Sequence, residues 1–176
     1  MQKKQIYILI LICLNIGADQ YTKNIARLQI EPKVETIHSR LPGNYKFKRE
    51  TKIFGKLLQL MNVENSGAFL GMGSESNPTV KLIFLLILPI IVILSVLYYL
   101  FTNKSIDKLT SVGLSCIVGG GLANLYDRFL YGSVTDFLFM DFGIAKTGIF
   151  NLADLSVTTG MILILLSTFK EKVKPE

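Results

Sequence analysis

The feature that most constrains this chain is residues 82–101, a run of twenty mainly apolar residues with no charge. A helix needs about 20 residues to cross the roughly 30 Å of hydrocarbon in a bilayer. Because lipid offers no partner for backbone polar groups, such a segment must be helical. Half of the 176 residues are apolar, and they are clustered. Both observations favour an integral membrane protein over a soluble domain.

Three other apolar runs have a similar length. The sequence therefore predicts four membrane-spanning helices, over about residues 6–26, 80–101, 109–131 and 149–169. The predicted fold class is an all-α integral membrane protein with a single domain over residues 1–176. Two loops, about 27–79 and 132–148, would lie together on one side. Short apolar stretches at 34–37 and 57–63 predict a small β-containing extracytoplasmic region.

Three short segments on the opposite side are densely positive. Their lysines are Lys3, Lys4, Lys104, Lys108, Lys170, Lys172 and Lys174. Cytoplasmic segments of membrane proteins carry such an excess, so we expect both termini in the cytoplasm. The long loop is basic as well, so the orientation depends on the density of charge in the short segments.

Composition also excludes some functions. The net charge is +6, but no continuous basic face with interleaved aromatic residues is present, so no nucleic-acid partner is expected. The chain has two cysteines without metal-ligand spacing and a single histidine, His38, in the long loop. We therefore expect no zinc site, no other metal and no cofactor.

Charged residues at membrane depth are costly and usually functional. Asp19 and Lys23 are four residues apart, so they share one helix face and can pair. The alternative is that they form an intrahelical ion pair and have no further role. The first run also resembles a signal peptide, but Asp19, Thr22 and Lys23 look positioned, so we expect the segment to be retained.

The third run carries a second polar group at its outer end. Asn124, Asp127 and Arg128 have helical i, i+3 and i+4 spacing and share one face. Asp127 and Arg128 could instead be an interfacial pair that anchors the helix. The glycines at 119–121 predict close packing of this helix against its neighbours.

The fourth run begins with Asn151 and Asp154, three residues apart. Asn is a preferred N-cap, and an acid in the first turn suits the helix dipole, so these two residues could simply cap the helix. Asp136 and Asp141 lie in the preceding loop. From the residues alone, Asp127, Asp136 and Asp154 are all candidate reactive carboxyls near the outer face.

Five blocks contain most of these polar residues. They are Asp19-Gln20-Tyr21-Thr22-Lys23, Asn65-Ser66-Gly67-Ala68-Phe69, Gly120-Gly121-Leu122-Ala123-Asn124-Leu125-Tyr126-Asp127-Arg128, Gly132-Ser133-Val134-Thr135-Asp136-Phe137 and Phe150-Asn151-Leu152-Ala153-Asp154. In this order, and on these spans, they resemble the lipoprotein signal peptidase family (signal peptidase II). The resemblance covers nearly the whole chain.

This resemblance implies an aspartic endopeptidase of the bacterial cytoplasmic membrane with Asp136 and Asp154 as the catalytic pair. It implies prolipoprotein substrates, cut just before a diacylglyceryl cysteine near the outer face. Residues implied to line or brace the site are Asp19, Lys23, Asn65, Gly67, Asn124, Arg128, Asn151 and Ala153, and we expect Asp127 to be a supporting residue. For Asp127, the neighbouring Arg128 is the expected partner. Membrane lipids are further expected partners, and the protein is expected to be monomeric.

Two departures from the family pattern concern the substrate side. The family usually has a further alanine before the phenylalanine of the second block, whereas here Phe69 follows Ala68 directly. The loop over residues 27–64 is also longer than expected. We predict that residues 65–73 form a mobile substrate clamp, with an ordinary turn packed by Phe69 as the alternative.

Two aspartates suffice for peptide hydrolysis. One ionised carboxylate activates water, while the other, protonated, polarises the carbonyl and then protonates the leaving amine. The alternative function is a small transporter or non-catalytic membrane subunit with an ion path of Asp, Lys and Arg. Transporters usually show repeats and polar residues near the midplane, whereas here the charges fall near one interface.

Overall fold

The computed structural model describes residues 3–30, 51–55, 57–67 and 76–172, and the protein is mostly helical. The helices are α1 (Lys3–Gln29), α2 (Pro78–Thr102), α3 (Lys108–Tyr131) and α4 (Leu152–Lys172). The strands are β1 (Thr51–Phe54), β2 (Leu58–Asn65) and β3 (Val134–Met140). A π-helical stretch over Leu82–Ile87 lies within α2.

Within the described part of the chain, α2, α3 and α4 are long and apolar enough to cross a membrane. They correspond to the last three predicted spans. Only 6% of the most apolar window of α2 is buried inside the protein, so nearly all of it is available to lipid. The first predicted span forms α1. This helix is less apolar than α2, α3 and α4, because Asp19, Gln20 and Lys23 lower its hydropathy.

Glycines bring α3 close to its neighbours, as predicted. A Cβ atom on Gly119 would lie 2.7 Å from Cβ of Asn15 on α1. One on Gly120 would collide with the carbonyl oxygen of Ala153, at the start of α4. Since no larger residue fits these contacts, the glycines set the spacing at which polar groups of α1, α3 and α4 can meet.

The three strands form one antiparallel sheet in the order β1-β2-β3. Register pairs Val63 with Asp136, so the sheet places the end of β2 beside the start of β3. Ala26, Ile30 and Phe137 form a small buried cluster that packs the sheet against the end of α1. The sheet therefore lies at the same end of the helices as the polar residues of α1 and α3.

The structure corrects part of the loop prediction. The stretch predicted as a strand at 57–63 is β2, but the shorter predicted loop contains β3, which the sequence analysis left irregular. Its sequence, VTDFLFM, is rich in β-branched and aromatic residues, which favour strands. The possible strand at 34–37, His38 and residues 68–73 of the predicted clamp lie outside the described residues.

Candidate active site

Asp136 lies on β3 and is 4% exposed. Its Oδ1 accepts a hydrogen bond from Nδ2 of Asn151 at 2.6 Å, and its Oδ2 accepts one from Nδ2 of Asn65 at 3.0 Å. Burial, and then the charge of Asp154, raise the pKa of the Asp136 carboxyl to about 7, although the two hydrogen bonds lower it. A carboxyl with this pKa holds a proton at nearly neutral pH, as a general acid must.

Asp154 lies in the first turn of α4, half-buried. Its Oδ1 accepts from Nδ2 of Asn124 at 2.9 Å, and its Oδ2 accepts from the backbone N–H of Asn151 at 3.2 Å. The two candidate carboxyls are thus reached by one residue, because Asn151 donates its side-chain amide to Asp136 and its backbone N–H to Asp154.

Asn151 is also the N-cap of α4. Its Oδ1 accepts from the backbone N–H of Asp154 at 2.9 Å, and the reverse bond completes a capping box. The capping interpretation of this pair is therefore correct for the backbone contacts. Asn151 has a second role as well, since its side chain is fully buried and its Nδ2 group donates to Asp136.

Lys23 holds α1, α3 and the start of α4 together. Its Nζ lies 2.7 Å from Asp19 and 2.9 Å from Asp127, and it donates to Oδ1 of Asn124 at 2.8 Å. The predicted pairing of Asp19 with Lys23 is confirmed. Asp19 in turn accepts the backbone N–H of Ala153 at 2.8 Å, so this group fixes Asn124 and α4 relative to each other.

Asp127 has different partners from the one predicted. Its carboxylate contacts Lys23, Nη2 of Arg27 at 3.0 Å and Nε2 of Gln20 at 2.9 Å, all from α1. Arg128 donates instead to the Gly67 carbonyl oxygen at 3.1 Å. Successive residues on a helix point about 100° apart, so Asp127 faces α1 while Arg128 faces the chain after β2.

The chain after β2 closes the site on another side. The backbone N–H of Gly67 donates to Oδ1 of Asn65 at 2.9 Å, while Nδ2 of the same Asn65 reaches Asp136. Arg128 therefore anchors the segment that carries Asn65, a hydrogen-bond donor to Asp136. Asp141 does not join this group, because it lies at the far end of β3 and pairs with Lys146 at 3.0 Å.

Sequence reasoning missed a buried polar network behind the site. Glu64 on β2 accepts from the hydroxyls of Ser133 at 2.6 Å and Thr135 at 2.7 Å, and Nε of Arg27 donates to Thr135 at 2.7 Å. Arg27 was assigned to the long loop, although it lies in the last turn of α1. Its spacing of four from Lys23 is the signal that would have placed it on the same face.

The carboxyls of the site fall into two groups. Asp19 and Asp127 are paired with Lys23 and Arg27, whereas Asp136 and Asp154 contact amides and backbone N–H groups. The first pair of carboxyls is therefore occupied by cations. The second pair keeps its carboxyls available to share a proton and to act on a substrate.

Known proteins share this chain's sequence and fold. A family model described as signal peptidase (SPase) II matches residues 11–170. A lipoprotein signal peptidase of Clostridium tetani is 32% identical over 166 residues, covering 93% of this chain and 92% of the relative. A lipoprotein signal peptidase of Aquifex aeolicus is 34% identical and covers 72% of this chain and 74% of its own length.

A solved bacterial membrane enzyme superposes with a TM-score of 0.74 at 26% identity, covering 97% of this chain and 92% of that structure. The family model spans most of the chain and includes α3, β3 and the first turn of α4, which carry Asp136 and Asp154. The polar site just described thus falls within the matched region, and the chain belongs to the signal peptidase II family of proteases.

Proposed function

We propose that Asp136 and Asp154 are the catalytic dyad of this lipoprotein signal peptidase, and that it cuts just before the diacylglyceryl cysteine of its prolipoprotein substrates. The observation that carries the assignment is Asn151, which donates to both carboxyls. Asp19 and Asp127 are not favoured as the reactive pair, because Lys23 and Arg27 already form ion pairs with them. A transporter or non-catalytic subunit is not favoured, since the family is one of peptidases.

The dyad carries one proton in the resting enzyme. Its raised pKa makes Asp136 the member that holds the proton, and Asp154 is then the carboxylate that accepts a proton from the attacking water. As the water oxygen bonds to the scissile carbonyl carbon, Asp136 gives its proton to the carbonyl oxygen. Asp154 then passes its proton to the leaving amine, and the collapsing intermediate returns a proton to Asp136 as the C–N bond breaks.

We also propose four crossings with both termini in the cytoplasm. With a rise of about 1.5 Å per residue, α1 is about 40 Å long, which is enough to span a bilayer. Nζ of Lys4 donates to the Ile106 carbonyl oxygen at 3.1 Å, so the N-terminal end of α1 lies beside the turn between α2 and α3. The dyad is at the opposite end of these helices. Reporter fusions after Asn103 and after Lys146 should therefore report opposite sides; the same side for both would refute this topology.

This placement suits the substrate. A diacylglyceryl cysteine is held at the membrane surface by its acyl chains, so the peptide bond before it must be cut at that depth. With the lysine-rich segments in the cytoplasm, the dyad lies near the outer face. Both carboxyls and the described residues that brace them come from one chain, which supports a monomer as the active state.

The dyad is tested with Asp136→Asn and Asp154→Asn variants, purified and incubated with a lipidated prolipoprotein. Each variant should fold and fail to release the signal peptide, because acid–base catalysis is worth roughly 10²–10⁴-fold. Asp141→Asn is the matched control, since Asp141 directly follows the strand that carries Asp136 but pairs with Lys146. Normal cleavage by Asp136→Asn, together with a folded but inactive Asp127→Asn, would contradict the assignment.

A further inference from the structure

A cavity lies at the end of the helices that is remote from the dyad. Its volume is about 490 Å³, within the range of small-molecule pockets. It lies between α1, α3 and the turn that joins α2 to α3. Apolar side chains form much of its wall: Tyr7, Ile8, Leu11, Ile106 and Val112.

Three lysines surround this apolar space. Lys4, Lys104 and Lys108 all line the cavity. Lys4 is tied to the turn by its hydrogen bond to Ile106, and Lys104 and Lys108 are exposed. The rim of the cavity is therefore strongly positive, while its interior is apolar.

The acidic residue beside them does not neutralise this group. Asp107 lies between Lys104 and Lys108 in sequence, and its Oδ1 accepts from the backbone N–H groups of Leu109 at 2.9 Å and Thr110 at 3.1 Å. Its carboxylate thus caps α3 instead of pairing with a lysine. Three lysines against one aspartate leave an excess of positive charge at the mouth.

We propose that this cavity binds an anionic phospholipid, with an acyl chain along the apolar wall and the phosphate among Lys4, Lys104 and Lys108. The proposal rests on the four-crossing placement, which puts the cavity mouth at the lipid headgroups. Apolar contact alone would accept any lipid. The lysines select a negative headgroup, because each basic side chain near an anionic surface contributes about 1 kcal/mol, or about fivefold in affinity.

The chain contains no tryptophan, which allows a single fluorescent reporter. Tyr7→Trp places it on the cavity wall. Tyr98→Trp is the matched control, because Tyr98 is 73% exposed, lies near the same end of the bundle and does not line the cavity. Each protein is placed in vesicles that contain either brominated phosphatidylglycerol or brominated phosphatidylcholine in a non-brominated background. Bromine quenches tryptophan on contact, so the ratio of the two quenching curves gives the preference for the anionic lipid.

At Tyr7→Trp the preference should exceed that at Tyr98→Trp by about fivefold or more. Adding Lys104→Gln and Lys108→Gln should lower this preference several-fold toward the Tyr98→Trp value, whereas Lys170→Gln, at the same end but outside the cavity, should leave it unchanged. Equal preference at the two reporters would overturn the proposal, as would a preference that the double substitution does not lower. If the double variant does not fold, Lys104→Gln alone should still lower the preference several-fold, and no change would equally overturn it.

Discussion

Asn151 offers the sharpest test of the site, because it both caps α4 and contacts both candidate catalytic carboxyls. Asn151→Ser keeps a good N-cap but loses the amide that donates to Asp136. Asn151→Ala loses both functions. The two replacements remove a similar volume from a fully buried position, so their difference isolates the cap.

The structure gives the magnitudes. A hydrogen bond to a charged group contributes about 1.5–3 kcal/mol, and Asp136 becomes charged as it gives its proton to the scissile carbonyl. Losing the 2.6 Å bond to Asp136 should therefore lower kcat about 10- to 150-fold in both variants. Loss of the cap should cost about 1 kcal/mol of stability in Asn151→Ala only. Turnover of a fluorescently labelled lipopeptide and thermal unfolding in detergent measure the two effects separately. Wild-type kcat in Asn151→Ser would refute the reasoning, because Asn151 would then be a helix cap alone.

Two further variants test the residues that brace the site. Lys23→Met leaves buried carboxylates without their lysine and should destabilise the protein by about 3–5 kcal/mol in thermal unfolding. Lys146→Met removes an exposed ion pair and should cost at most about 1 kcal/mol; equal losses would contradict the bracing role of Lys23. Arg128→Lys keeps the charge but loses the guanidinium contact to Gly67, so kcat/KM should fall about tenfold or more with little change in unfolding temperature. Full activity in Arg128→Lys would show that this contact does not position the site.

Much of the helical framework could be predicted because lipid imposes it. Long apolar runs in a bilayer have few alternatives to a helix, and three of the four predicted spans coincide with helices of spanning length and composition. Local spacing was also informative within a helix, since Asp19 and Lys23 pair as their separation predicts.

Sequence spacing gave the wrong partner for Asp127, because its partners come from another helix. Adjacency suggested that Arg128 would pair with Asp127, but α1 supplies Lys23 and Arg27 from across the helix interface. No local pattern encodes that meeting, because it depends on how closely the glycines of α3 let α1 approach.

The meeting of Asp136 with α4 is of the same kind. It depends on β3 pairing with β2 and on Phe150 pairing with Leu138, neither of which periodicity predicted. The choice of Asp136 and Asp154 over Asp127 therefore came from the family resemblance and from an expected pairing of Asp127 with Arg128, which instead donates to Gly67. The geometry supports that choice, and it stays a prediction until the variants are assayed.

The pH dependence follows from the carboxyl that the dyad keeps protonated. The pKa of Asp136 is raised from 3.8 to about 7, chiefly by burial and then by the charge of Asp154. Between about pH 4 and pH 7 the folded protein binds a proton that the unfolded chain has lost, so this group's stabilising contribution is full below about pH 4 and is lost as the pH rises through about 7. Activity should decline above about pH 7 as well, about tenfold per pH unit, since the dyad then has no proton to give to the scissile carbonyl.

Asp136→Asn separates this effect from other titrations, because an amide of similar size cannot ionise. The stability of the wild type relative to Asp136→Asn should therefore fall between pH 5 and pH 8, by an amount on the order of a few kcal/mol. Unfolding temperatures in detergent at the two pH values measure it, with Asp141→Asn as the control, because its carboxyl is paired with Lys146 away from the dyad. A stability difference that does not change with pH, together with turnover that stays constant to pH 9, would mean that Asp136 is ionised throughout. The proton for the scissile carbonyl would then have to come from another group.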